Sequence, residues 1–103
     1  MARQSKLSIV RSQLEQKNLT ENQINFILNL YKKVRRNSDP ASHHVWCDEI
    51  SGPMNVSVAE VQELVGFFKG WPYRFTATNG REDCAGFRCT DYFVDWLHEI
   101  GVM

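Results

Sequence analysis

Residues 50–69, ISGPMNVSVAEVQELVGFFK, limit the folds open to this chain more than any other stretch. Val56 precedes Ser57, Glu60 lies three positions on, and Val61 follows. That spacing predicts a capping box, with Ser57 as N-cap and Glu60 reaching back, and a hydrophobic staple between Val56 and Val61. Together these local bonds set where a helix begins and the angle at which the chain joins it. Val61, Leu64, Val65 and Phe68 recur at helical spacing and form the expected inner face, with Gly70 placed for a left-handed C-cap. Glu60 and Glu63 fall on the other face. A turn followed by a helix over 57–69 is the expectation.

The flanking segments carry their own punctuation. Leu7, Val10 and Leu14 predict an amphipathic helix over 6–17. Thr20 as N-cap, Gln23 three residues later and Leu19 stapled to Ile24 predict a second over 20–36, with Ile24, Ile27, Leu28, Tyr31 and Val34 as its core stripe. Asp39 and Pro40 read as N-cap and first helical residue of a third helix over 40–50, with Trp46 and Ile50 facing inward and Gly52-Pro53 as its stop. After Gly70 the period changes to two. Tyr73, Phe75 and Ala77, then Ala85, Phe87 and Cys89, predict a hairpin over 72–89 with its tip near 79–84. Thr90 and Asp91 open a last helix over 90–100, presenting Phe93, Trp96, Leu97 and Ile100 before Gly101. The fold class is therefore mainly α with a small β-hairpin, α+β, with about five helices in one domain.

At 103 residues, 43% hydrophobic and 12% aromatic, the chain has material for a single modest core. No apolar run approaches a membrane-spanning length, and the polar start MARQSK lacks the pattern of a signal peptide. Three cysteines form no disulfide framework, which points to a reducing, cytoplasmic setting. The formal charge is zero but unevenly spread. Residues 1–36 hold eight basic side chains against two acidic, a net +6, and the remainder four against ten, a net −6. Such asymmetry suits a charged partner for one face, or two partners; the plain alternative is that the halves offset each other.

The sequence Glu49-Ile50-Ser51-Gly52-Pro53-Met54-Asn55-Val56-Ser57, followed by Val61 and Leu64, resembles a winged helix-turn-helix domain, and the hairpin after it extends the resemblance across 49–89. In such units a small residue of the first helix faces the second, a glycine or asparagine four positions later takes the turn, and apolar residues follow. Ser51, Asn55, Val56, Val61 and Leu64 occupy those places, with Ile50 and Met54 in flanking apolar positions. Pro53 departs from the pattern, falling in the last turn of the first helix.

The resemblance implies that Ser57, Val58, Ala59, Gln62 and Glu63 would face a DNA major groove, with Gln62 suited to an adenine edge and Ser57 to a phosphate. Glu60 and Glu63 oppose that use, because carboxylates repel a polyanion. Lys32, Lys33, Arg35 and Arg36 at the end of the second helix, and Arg74, Arg81 and Arg88 on the hairpin, are the cations available for a backbone, although Glu82 and Asp83 follow Arg81 at once. The plain reading of the Lys/Arg cluster is a solvated helix end that complements the helix dipole. A protein partner suits the acidic helix better. Val58, Phe67, Trp71 and Tyr73 would form an apolar, aromatic patch ringed by charge, unless Trp71 and Tyr73 merely cap the core.

Catalytic and metal chemistry finds little footing. His43, His44, Cys47, Cys84 and Cys89 lack the close paired spacing of a zinc site, and thiols that behave as small buried hydrophobes are the default. A nucleophile at Cys47 has no visible orienting group. There is no phosphate-binding glycine loop or dinucleotide fingerprint. The expectation is a small non-enzymatic regulatory or inhibitory protein that binds a protein partner through a winged-helix-like scaffold, without cofactor. The alternative is a DNA-binding transcriptional regulator, a homodimer through Phe93, Trp96 and Ile100 of the C-terminal helix. A third reading is an acidic imitation of nucleic acid. Stand-alone domains of this kind resemble small phage or mobile-element regulators.

Overall fold

A computed structural model of the chain describes residues 5–36, 44–69, 76–78, 86–88 and 90–103. Among the described residues, five helices and three short strands follow in the order α1 (Lys6–Glu15), α2 (Glu21–Val34), β1 (His44–Trp46), α3 (Cys47–Met54), α4 (Val58–Lys69), β2 (Thr76–Thr78), β3 (Gly86–Arg88) and α5 (Asp91–Glu99). The fold is α+β with a small hairpin, as the periodicity predicts.

Local bonding explains most helix ends. Thr20 and Gln23 make the full capping box of α2: the Gln23 N–H donates to Thr20 Oγ1 at 3.2 Å, and the Thr20 N–H donates to Gln23 Oε1 at 2.9 Å. Ser57 accepts the Glu60 N–H at 3.1 Å, and the Glu60 carboxylate lies 3.5 Å from the Ser57 hydroxyl. Val56 is half-buried and Val61 fully buried, so both expected staple residues face the core. At the other end of the chain, Gly101 adopts φ +80° and closes α5. The Val102 N–H reaches Leu97 O and the Gly101 N–H reaches His98 O, each at 3.1 Å, which satisfies carbonyls the helix would leave open.

α2 is the central post, packing against α1, α3 and α4. It buries Ile24, Phe26, Ile27, Leu30, Tyr31 and Val34. The expected stripe included Ile24, Ile27, Tyr31 and Val34 but also Leu28, which is only half-buried, and it omitted Phe26 and Leu30. A helix with neighbours on several sides buries a wider arc than one stripe. The Phe26 ring stacks on Phe68 of α4 at 5.7 Å and tilts against Phe87 of β3, also at 5.7 Å. On α4, Val61, Val65 and Phe68 are buried as expected, while Leu64 is half-buried.

The helix expected over 40–50 is corrected. Residues 37–43, including Asp39 and Pro40, lie outside the described residues, and 44–46 form a strand. β1 pairs antiparallel with β3, Val45 opposite Phe87 and Trp46 opposite Gly86. Strand alternation then buries Val45 and turns Trp46 outward, 41% exposed, where a helix would have pointed the tryptophan in. Long-range pairing and burial of Val45 outweigh the local helix signal.

Nor does α3 stop at Gly52. It runs to Met54 with Pro53 inside its last turn, and Asn55 ends it at φ 57° and ψ 45°. The Asn55 N–H bonds Gly52 O at 3.0 Å and the Val56 N–H bonds Ser51 O at 3.1 Å. Pro53 has no N–H to donate to the carbonyl four residues back, and the Asn55 and Val56 bonds close the helix just beyond it.

The expected hairpin forms between β2 and β3, Ala77 opposite Phe87, and gains β1 as a third strand on the other edge of β3. The hairpin tip and residues 70–75 lie outside the described residues.

Candidate partner-binding surfaces

Two surfaces collect the expected binding residues, one at each end of α2. The first is the outer face of α4. Its inner residues are held by the aromatic core and its start by Ser57, so Ala59, Glu60, Glu63, Gly66 and Phe67 are exposed. Phe67 is 47% exposed, and its ring meets the Phe68 ring edge-on at 4.9 Å and 89°. The buried neighbour thus fixes a side chain that is itself half in water. Across from it, Thr20, Asn22 and Gln23 at the start of α2 form the second wall of a shallow cleft, with Glu60, Glu63, Leu64 and Phe67 on the α4 side.

Val58 does not join this patch. It is half-buried and packed against the core. Gln62 is also half-buried. Trp71, Tyr73, Arg74 and Arg81 lie outside the described residues, as do the side chains of Lys69 and Arg88. Among the described side chains, the exposed face of α4 carries two carboxylates and no cation.

The second surface surrounds the end of α2. Lys32, Lys33, Arg35 and Arg36 are all exposed. Lys33 Nζ stands 3.9 Å from Glu49 Oε2 of α3, a loose surface pair. The Arg35 guanidinium lies over the buried Tyr31 ring, 5.5 Å from its centroid, a cation–π arrangement that restrains it. Arg35 and Arg36 line two clefts at once. One opens toward α3 beside Glu49, Ile50 and Pro53. The other opens toward Lys6 of α1 and His98 of α5. Lys6 and His98 are contributors that spacing along the sequence gives no means of placing there. The floor of the second cleft is firm, since the Tyr31 hydroxyl donates to the Val102 carbonyl at 3.0 Å.

Of the residues considered for a C-terminal dimer, Phe93 is fully buried in its own chain and so is withdrawn from that role, while Trp96 and Ile100 are half-buried. Phe93 and Trp96 instead stack on each other at 6.2 Å.

Cys47 opens α3 from the core. Burial, reinforced by the neighbouring Asp48 carboxylate, pushes its thiol up to about 11, so it stays protonated and is a poor nucleophile or ligand near neutrality. Among the described residues no group of three His, Cys, Asp or Glu side chains is placed to hold a metal. His43, Cys84 and Cys89 lie outside the described residues.

No protein-family model matches the sequence, and comparison with curated proteins and with solved structures finds no significant match.

Proposed function

We propose that this chain is a small, non-catalytic regulatory or inhibitory protein that binds a protein partner through the exposed face of α4, on a winged-helix-like scaffold. The observation that carries the reading is Phe67. A large aromatic ring, 47% exposed yet held edge-on by Phe68, stands beside Glu60 and Glu63 over a cleft. A restrained aromatic anchor with a charged rim is the make-up of an interaction hot spot. The carboxylates favour a cationic protein surface over a phosphate backbone.

The test compares capture of proteins from a lysate by immobilised wild type, Phe67→Ala and Glu63→Lys, each first checked for native circular dichroism. A protein held by the wild type and lost with both variants is expected. Retention that ignores both substitutions would sink the reading.

A second reading, a DNA-binding regulator of helix-turn-helix type, draws support from the left-handed Asn55 between α3 and α4. Selection from a random duplex pool addresses it. A consensus whose binding disappears in Gln62→Ala would replace the first reading with the second, and Glu60→Lys with Glu63→Lys should then strengthen binding.

A further inference from the structure

We infer that the end of α2 is a second, separate site that grips the phosphodiester backbone of nucleic acid without reading its sequence. The inference is independent of what binds α4.

Cations converge here from two elements, Lys6 of α1 and the cluster ending in Arg35 and Arg36 of α2, with the His98 imidazole of α5 lining the same cleft as Lys6. A helix dipole explains cations on the last turn of α2, but not the arrival of Lys6 and His98 at the same cleft. Glu49 is the one acidic side chain among the described residues that line either cleft, and its 3.9 Å contact is with Lys33. Arg35 is already ordered over Tyr31, so docking it on a phosphate loses less side-chain freedom than an unrestrained arginine would. Two clefts sharing Arg35 and Arg36 form a run of positive positions rather than a point. That suits a ligand whose charges repeat along a chain.

Zero net charge is no obstacle. Gln23, beside the acidic α4 cleft, and Val34, beside the basic end, are separated by about 16 Å of helix axis. The Debye length at physiological salt is about 8 Å. Glu60 and Glu63 are therefore largely screened from a polyanion lying on the basic end.

The experiment is fluorescence anisotropy of a short labelled duplex, titrated with the full chain at about 50 mM and about 200 mM salt. Four phosphate contacts, one per cation of the α2 cluster, predict binding weakened roughly a hundredfold over that range, much the same for unrelated sequences. Arg35→Glu with Arg36→Glu should weaken binding at least tenfold, while Phe67→Ala leaves it unchanged. Absence of binding at the lower salt, or binding indifferent to the arginine reversals, overturns the inference. Loss on Phe67→Ala in a folded variant places the contact on α4 and also overturns it. Phosphatidylserine vesicles form a parallel arm; binding to vesicles but not to duplex would assign the surface to a membrane and end the proposal. Failure here leaves lysate capture through Phe67 untouched, so the two readings fall separately.

Discussion

Phe26 touches Phe68 from α4 and Phe87 from β3 at the same 5.7 Å, so a single ring ties the central helix to both a helix and the sheet. Phe26→Ala should cost about 3–5 kcal/mol, because it opens a cavity bounded by elements that cannot all close on it. Urea unfolding would measure this as a lower midpoint at unchanged slope. Cys47 permits a pH prediction. Its thiol is held near 11 in the folded chain, above the ordinary value, so folding keeps a proton that the unfolded chain releases sooner. The contribution is fully present below the unfolded thiol pKa of about 8.5 and is lost as pH rises through the folded value. Cys47→Ala should flatten that alkaline decline, seen in thermal melts across the range. In native protein at neutral pH, reaction of Cys47 with a disulfide reagent should be far slower than in urea.

At the level of elements, the joint between α3 and α4 depends on one unusual backbone position. Asn55 sits at φ 57°, where side chains with a Cβ are strained and asparagine is the best tolerated after glycine. Asn55→Gly should be neutral or slightly stabilising, and Asn55→Ala should lose about 1 kcal/mol, read from denaturation midpoints. The start of α2 and the start of α4 were legible in the sequence because their signals are local: Thr20 with Gln23, Ser57 with Glu60. The end of α3 was not, since Gly52-Pro53 reads locally as a stop and only the helix-turn-helix resemblance put Asn55 in the turn. Nor was β1. His44, Val45 and Trp46 owe their extended form to β3, some forty residues further on, while Asp39-Pro40 gave a strong local helix signal. The outward placement of Glu60, Glu63 and Phe67 followed from helical spacing. Val58 could not be assigned that way, since its burial depends on tertiary packing against the core.

For the molecule as a whole, charge is arranged by fold rather than by composition. Lys6 and Arg35 are distant in sequence, and only packing brings the two cations around one cleft. Among the described residues, these ion pairs are exposed: Arg11 with Glu21 at 2.8 Å and with Glu15 at 3.9 Å, and Lys33 with Glu49 at 3.9 Å. The Arg11 hydrogen bond and charge hold the Glu21 carboxyl below its ordinary value, so this contact persists above the usual carboxylate range and weakens as pH falls. Exposed pairs contribute little to folding. Raising salt from about 0.1 M to about 1 M, which shortens the Debye length from about 10 Å to about 3 Å, should leave the melting temperature nearly constant. The order of the sheet has a consequence for synthesis. β3 lies between β1 and β2, yet it is the last of the three to be made. Neither outer strand has a partner until Arg88 has left the ribosome, and Phe26, Val45 and Phe68 wait as long for Phe87. Assembly from the N-terminus therefore stalls with its aromatic centre unsealed, and the nascent chain depends on a late hairpin to shut it.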